Sequence, residues 1–387
     1  MRFAIDASPL GRPQPSGVRT ILRALLPEIL KLLDEDRLVL WQNDPEARRR
    51  PLAAPEHPSL VRRTCRLSPR VLEALWRRID WPKVEWFTGA VDVFHSIQGR
   101  LPATRLARSI LTLHDFRHRR LPQFYSRDFR WFPPEIARAD HFIAVSDSTR
   151  TDAMRFLDIP EERITRIYSG PPEPGPVLDG EQAARERARF ALRGPYIFCP
   201  SANDPRKNVA GAIEGFLGLK RTLDVPHQLA VVGALPAAEE TDLYALARAA
   251  GGDGVVFTGT VSDREYAALL SGAAAIVQPS LNEGFGFPVL EAFQAGIPQA
   301  VADNSAFPET AGGAALTFNP WEPDEIAAAM ERLITERALA EGLVARGRRR
   351  LLDFSWERSA RETLALYRTL ARRERSPVFI RPPSTIR

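Results

Sequence analysis

Residues 275–291 read A-I-V-Q-P-S-L-N-E-G-F-G-F-P-V-L-E. The first four make a short, largely apolar run, as expected for a strand covered on both faces. A turn follows in which Gly284 and Gly286 carry no Cβ, so the backbone can approach a ligand closely and expose its N–H groups. Pro288 suits a first helical turn, and a helix is predicted to begin near it. Strand, glycine turn and helix form the unit from which parallel α/β sheets are built. The start of such a helix favours an anion, through its dipole and its free N–H groups.

The same alternation extends in both directions. Strand candidates are Phe3–Ile5, Leu38–Trp41, Val91–His95, Ser109–Leu113, His141–Val145 and Ile164–Ile167, then Tyr196–Cys199, Gln228–Val232, Val255–Thr258, Ala275–Gln278 and Pro298–Val301. Helical segments lie between many of them, among them Val18–Leu33, Glu135–Arg138, Val209–Arg221 and Asp324–Glu336. The pattern runs twice, which predicts two doubly wound parallel-sheet domains of the α/β class. Ser169–Asp179, with four prolines and two glycines, can continue neither a helix nor a central strand. The expected organisation is a first domain over 1–170, a linker over 171–194 and a second domain over 195–355. A basic helix and tail over 356–387 follow, a candidate to return to the first domain. Pro45–Pro69 reads as an irregular insertion.

Charge follows the same division. The 387 residues carry net +5, yet 1–170 hold 29 basic and 21 acidic groups, 171–355 hold 16 and 24, and 356–387 hold 8 and 3. Two halves of opposite sign suit different partners. Only four basic residues are lysine, a bias that a GC-rich coding genome explains. Cys65 and Cys199 stand far apart, which fits neither a disulfide framework nor a zinc site and suits a reducing cytoplasm. The apolar start meets Asp6 at once, unlike a signal peptide, and no run approaches the length of a membrane span.

Two segments carry chemistry. Asn203–Asn208, N-D-P-R-K-N, follows a strand end, and Arg206 with Lys207 would supply a bidentate donor and a point charge to a diphosphate. Glu283 and Glu291 border the glycine turn. Carboxylates beside a phosphate are unfavourable unless they accept hydrogen bonds from ligand hydroxyls, which a sugar nucleotide offers on both sugar and ribose. Taken singly, the glutamates also read as one cap and one solvated side chain, and the Arg-Lys pair as a solvated loop. Their matching places at strand ends of one domain favour a common site. No G-x-G-x-x-G follows either first strand, against a dinucleotide oxidoreductase.

Tyr196–Asn208, Phe257–Val261, Pro279–Gly296 and Pro308–Gly312 together resemble the retaining GT-B glycosyltransferases of the glycosyl-transferase group 1 type. In the first half, Pro15-Ser-Gly-Val18 is similar to that family's glycine loop and Thr112-Leu-His-Asp115 to its T-x-H-D segment. Ala144–Ser148 with Pro160–Ile164 is similar to its last acceptor-domain unit. The resemblance implies two Rossmann-like domains facing across a cleft. It implies that Glu283 binds hydroxyls of the transferred sugar and Glu291 the ribose. Arg206 and Lys207 would hold the leaving diphosphate, and Gly284, Phe285, Gly286 and Phe287 would present N–H groups. Gly17 would approach the diphosphate, and His114 would sit beside the reacting sugar. Asp147 reads as an acceptor-side carboxylate or an N-cap. Pro200 stands where the family usually has glycine and brings no N–H.

The likeness to bacterial mannosyltransferases makes GDP-mannose the first donor, with no cofactor and no metal. The expected acceptor is a glycan or lipid-linked acceptor of surface polysaccharide assembly. An epimerase or phosphorylase on the same fold, and a non-catalytic nucleotide-sugar-binding protein, fit the same residues. Arg48–Arg78 holds nine arginines against Glu56 and Glu73, with Trp76, Trp81 and Trp86 at or beyond its end. That mixture suits an anionic membrane surface, or simply a solvated insertion. No nucleic-acid-binding motif accompanies it. The expected location is the cytoplasm, peripheral to the inner face of the membrane.

Overall fold

The computed structural model describes residues 1–11, 17–46, 52, 54–125, 136, 138–249 and 254–373. The chain forms two compact units. One comprises residues 1–116, 127–172 and 354–387, the other residues 117–126 and 173–353. The proposed helix Glu135–Arg138, the loop residues Pro15 and Ser16, Arg48–Arg50 and the tail beyond residue 373 lie wholly or largely outside the described residues.

The first unit holds a parallel sheet of seven strands. They are β1 (Arg2–Asp6), β2 (Arg37–Asn43), β3 (Leu60–Cys65), β4 (Val93–Ser96), β5 (Arg108–Leu113), β6 (His141–Ala144) and β7 (Ile164–Arg166), in the order β3-β2-β1-β4-β5-β6-β7. β1 pairs in register with both β2 (Ala4 opposite Val39) and β4 (Ala4 opposite Phe94). Central strands such as β4 and β6 are buried along their whole length, as strands covered by helices on both faces must be. The helix Trp356–Arg372 belongs to this unit and packs on Gly17–Lys31. Its Arg368 reaches Asp36 at 2.8 Å and Asp34 at 3.4 Å, the acidic partners that a basic helix needs in a basic unit. Its Tyr367 is fully buried 5.2 Å from the Phe3 ring and donates to His95 Nδ1 or accepts from it at 2.5 Å.

The second unit holds a parallel sheet of six strands. They are β8 (Tyr196–Pro200), β9 (Gln228–Val232), β10 (Val255–Gly259), β11 (Ala275–Gln278), β12 (Gln299–Ala302) and β13 (Leu316–Phe318), in the order β10-β9-β8-β11-β12-β13. Its core gathers Tyr196, Phe198, Ala230, Leu269, Ile276 and Ala292. In both sheets the strand order reverses beside the first strand of the unit, at β1/β4 and at β8/β11. Such switch points open crevices at the carboxyl ends of the strands.

Three readings of the sequence are corrected. The Pro45–Pro69 insertion contains β3, an edge strand whose Arg62, Arg63 and Thr64 are exposed, so its apolar signal is weak. The linker 171–194 contains a helix, Gly180–Arg187, started by a capping box between Asp179 and Gln182. Asp147 is not an N-cap: Ser146 caps that helix by accepting from Thr149 N, and Asp147 pairs with Arg150 and Arg166.

Candidate functional site

β8 and β11 are hydrogen-bonded neighbours, with Ala275 opposite Ile197. The segments that follow them therefore meet, although 76 residues separate Lys207 from Glu283. After β8 the chain makes a short turn, Pro205–Lys207. Asp204 starts it, accepting from Arg206 N at 3.1 Å and from Arg206 Nε at 3.0 Å. Two side chains of the same unit also donate to Asp204: Tyr125 Oη at 2.7 Å and Arg117 Nη1 at 3.2 Å. After β11, Glu283 N donates to Ser305 Oγ at 2.9 Å, which fixes the start of the glycine turn.

The two segments close on one carboxylate. Arg206 Nη1 lies 2.6 Å from Glu283 Oε2, and Lys207 Nζ lies 2.7 Å from Glu283 Oε1. Arg206 Nη1 also donates to the Asn282 carbonyl at 2.7 Å. The Lys207 and Glu283 side chains are 11% and 9% exposed, so this is a buried ion cluster rather than a solvated loop and a surface cap. Burial alone would raise the Glu283 carboxyl. The charges of Arg206 and Lys207 and their hydrogen bonds outweigh it and hold the group down at about 2. Cys199 is fully buried, and burial pushes its thiol up to about 12, against the charge of Lys207.

The turn itself matches its sequence. Gly286 sits at φ 97° and caps the helix Phe287–Ala295, with Pro288 in the first turn. Phe285 is buried, its ring 5.3 Å from Phe287, and its carbonyl accepts from Thr310 Oγ1. Glu291, one turn along, accepts from Tyr266 Oη at 2.7 Å. Burial raises the Glu291 carboxyl, against the hydrogen bond from Tyr266 and the charge of Lys207.

Arg206, Lys207 and Glu283 are thus one cluster, and Gly284, Phe285, Gly286, Phe287 and Glu291 continue from it on one turn and helix. His114 and Gly17 lie in the first unit. His114 follows β5, and its Nε2 is 2.7 Å from the Ile97 carbonyl. A carbonyl only accepts, so Nε2 carries the hydrogen. Burial lowers its basicity, and the Ile97 bond and Asp115 oppose that. Gly17 opens the helix Gly17–Lys31, and among the described residues nothing lies within 4 Å of the place a Cβ on it would take.

Asp204, Asn282, Ser305 and Tyr266 escaped the reading of the sequence. Asp204 stood one residue from the Pro-Arg-Lys turn, and an aspartate before proline is a recognisable turn starter. Nothing in the sequence ties Tyr266 to Glu291.

The chain matches two family models end to end: Glycosyltransferase Family 4 over residues 16–171 and Glycosyl transferases group 1 over residues 181–350. It is 27% identical over 293 residues to the O-antigen chain mannosyltransferase B of Escherichia coli, covering 72% of this chain and 74% of that one. It is 28% identical over 234 residues to the serotype-specific mannosyltransferase WbdA of Escherichia coli, covering 58% of this chain but only 28% of WbdA. In structure it resembles Anabaena Alr3699/HepE in complex with UDP and glucose, with a TM-score of 0.65 at 14% identity, over 95% of this chain and 99% of that one. With both halves matched, and with the paired doubly wound sheets that the fold requires, the chain belongs to the group 1 glycosyltransferases of GT-B fold and resembles their bacterial mannosyltransferases.

Proposed function

We propose that this glycosyltransferase moves a hexosyl group from a nucleoside-diphosphate sugar, GDP-mannose as first donor, to a glycan or lipid-linked acceptor with retention at C1 and without a metal ion. The observation that carries the reading is the buried Arg206–Glu283–Lys207 cluster at the switch point of β8 and β11. In the reaction the bond from C1 to the diphosphate oxygen breaks, the acceptor oxygen bonds to C1, and the acceptor hydroxyl gives its proton to the departing diphosphate. Negative charge collects on the departing diphosphate. Arg206, Lys207 and the N–H groups of Gly284–Phe287 stabilise it, the task a divalent cation performs elsewhere. Glu283, ionised at every physiological pH, accepts from sugar hydroxyls and favours positive charge at C1. Glu291, steadied by Tyr266, accepts from the ribose. By its likeness to the family, Gly17 would serve the diphosphate and His114 the sugar.

The role in surface polysaccharide assembly follows the Escherichia coli relative, an O-antigen chain mannosyltransferase. Among the described residues no helix is long and apolar enough to cross a membrane. The proposed location is the cytoplasm, at the inner membrane face, with Arg48–Arg78 towards the lipid.

The test is a donor panel with the full chain, with and without a chelator, and an assignment of the anomeric centre of the product. Turnover of GDP-mannose with retention, insensitive to chelation, is the expected result. Turnover of UDP-glucose alone overturns the donor, an inverted product overturns the stereochemistry, and loss on chelation overturns metal independence. Conversion of the donor to an epimer without acceptor overturns transfer itself.

A further inference from the structure

Among the described residues, six of the twelve exposed large apolar side chains fall within one short part of the first unit: Leu67, Val71, Ile79, Trp81, Trp86 and Leu106. Single exposed apolar residues need no explanation, but such a concentration does. The helix Pro69–Ile79 organises it. Its inner face buries Leu72 and Trp76, with Trp76 packed 6.1 Å from Trp41 and its Nε1 donating to the Pro82 carbonyl at 2.7 Å. The opposite stripe, at i, i+3, i+4 and i+7, is Val71, Ala74, Leu75 and Arg78, of which only Leu75 is partly covered. Ile79 ends the helix. Trp81 and Trp86 follow, 45% and 65% exposed, with their rings edge to face at 5.3 Å. Leu106 joins them because Glu85 accepts from the backbone N–H groups of Arg105, Leu106 and Ala107 at 2.8, 2.8 and 3.0 Å.

The exposed charges around these side chains are mostly basic, with Glu56 the exposed carboxylate of the same segment. Arg62, Arg63, Arg66, Arg70, Arg78 and Arg105 are exposed on this part of the unit. Its other acidic groups are engaged: Glu73 pairs with Arg100, Asp80 pairs with Lys83 and Arg138, and Glu85 holds the backbone of 105–107. A rigidly mounted apolar stripe, two tryptophans at its end and a basic surround match an anionic lipid surface. Tryptophan settles at the headgroup level, and arginine pairs with lipid phosphate while its stem lies along apolar groups. A nucleic acid would use the arginines but leave Val71, Ile79 and Leu106 in water. A second copy of the chain would bring an equally basic surface against this one.

We propose that Leu67–Trp86 with Leu106 is the membrane-contacting face, entering the interface of an anionic bilayer through Val71, Ile79, Trp81 and Trp86. This rests on the reading above that the enzyme works at a membrane. It moves the contact from the arginine run towards a helix and a tryptophan pair, and it makes apolar insertion as important as charge.

The test is flotation of the full chain with vesicles of phosphatidylglycerol and phosphatidylcholine, against phosphatidylcholine alone. Binding is expected on the anionic vesicles only. Arg70→Ala/Arg78→Ala should weaken it about 30-fold at low salt and much less at high salt. Trp81→Ala/Trp86→Ala should weaken it about ten-fold at either salt. All four side chains are exposed, so the thermal midpoint should hold, and Val71→Glu/Ile79→Glu gives a second, independent loss. Failure of the wild type to float, equal flotation of all variants, displacement by single-stranded nucleic acid alone, or conversion of a dimer to a monomer by the tryptophan changes would each overturn the proposal. A wild type that does not float yet turns over donor counts against this face only; a wild type that floats yet does not turn over donor counts against the sugar-transfer reading only.

Discussion

Lys207 Nζ lies 2.7 Å from Glu283 Oε1, and Arg206 holds the other carboxylate oxygen at 2.6 Å. One anion therefore serves two buried cations. Breaking a buried pair by removing one partner leaves an uncompensated charge and costs about 3–5 kcal/mol. The partners are not equivalent. Lys207→Met leaves Glu283 still paired with Arg206, whereas Glu283→Gln leaves Lys207 without its ion pair. Urea unfolding should rank Glu283→Gln as the more destabilising change. On the proposed function both should reduce sugar transfer about 100-fold or more, because each would alter the charge that receives the leaving group. The reverse stability ranking would mean that Glu283 does not bind the cluster together.

Tyr266 reaches the site through Glu291, to which it donates at 2.7 Å. Tyr266→Phe removes one donor to a carboxyl that burial already raises. The ring keeps its edge contact with Phe198, so the fold should hold. A lost hydrogen bond of this kind is worth about 1 kcal/mol, or roughly five-fold in an equilibrium. Donor KM should rise by that factor with kcat nearly unchanged. A fall in kcat at constant KM would place Tyr266 in the transfer step instead.

The glycine turn and the Arg-Lys pair were legible because both are local: each residue's duty is set by its position after a strand. Their matching places at strand ends also pointed to a common site, but the direct ion pairs of Arg206 and Lys207 with Glu283 were not legible, because they depend on β8 and β11 being sheet neighbours although β9 and β10 come between them in the chain. β3 hid for a different reason. An edge strand solvates one side, and Arg62 and Arg63 there read as part of a charge run. Ser146 and Asp147 are both good caps, and only the backbone decides between adjacent candidates. The helix Gly180–Arg187 was masked by the prolines before it, although Asp179 and Gln182 spell its capping box. Asp204 was visible as a turn starter, but its load of Arg206, Tyr125 and Arg117 arises only from the tertiary fold.

His95 should make the protein sensitive to mild acid. It lies between Tyr367 Oη and Thr112 Oγ1, at 2.5 and 2.7 Å. Burial, with a smaller push from His114, lowers its pKa from 6.5 to about 3. Burial also lowers His141, to about 4, with Arg373 and Arg163 adding to it. The unfolded chain therefore binds more protons than the folded one between about pH 3 and 6.5. Stability rises with pH through that window, by at most about 1.4 kcal/mol per pH unit for each histidine. Glu283 adds a loss of the same sign at lower pH, as acidity carries it from its ordinary value near 4.5 towards 2. Unfolding midpoints measured from pH 4 to 7 should fall in acid. His95→Gln should flatten the fall above pH 4.5, where Glu283 does not yet contribute. An unchanged slope in that variant would show that His95 is not the titrating group.

Gly17 and Gly286 separate the two reasons for a glycine. Gly286 sits at φ 97°, and a Cβ there would stand 3.1 Å from the Phe307 ring. Gly286→Ala should therefore cost about 1–3 kcal/mol of stability and distort the turn that presents the N–H groups. Gly17 begins a helix, and among the described residues nothing lies within 4 Å of the place its Cβ would take. Gly17→Ala should leave the thermal midpoint unchanged or slightly raised, since alanine loses less entropy than glycine in a helix. If its loop approaches the diphosphate, transfer should still fall in that fully folded variant, through donor KM. A Gly17→Ala enzyme with wild-type stability and wild-type KM would remove Gly17 from the donor site and leave the Gly284–Phe287 turn to hold the diphosphate with Arg206 and Lys207.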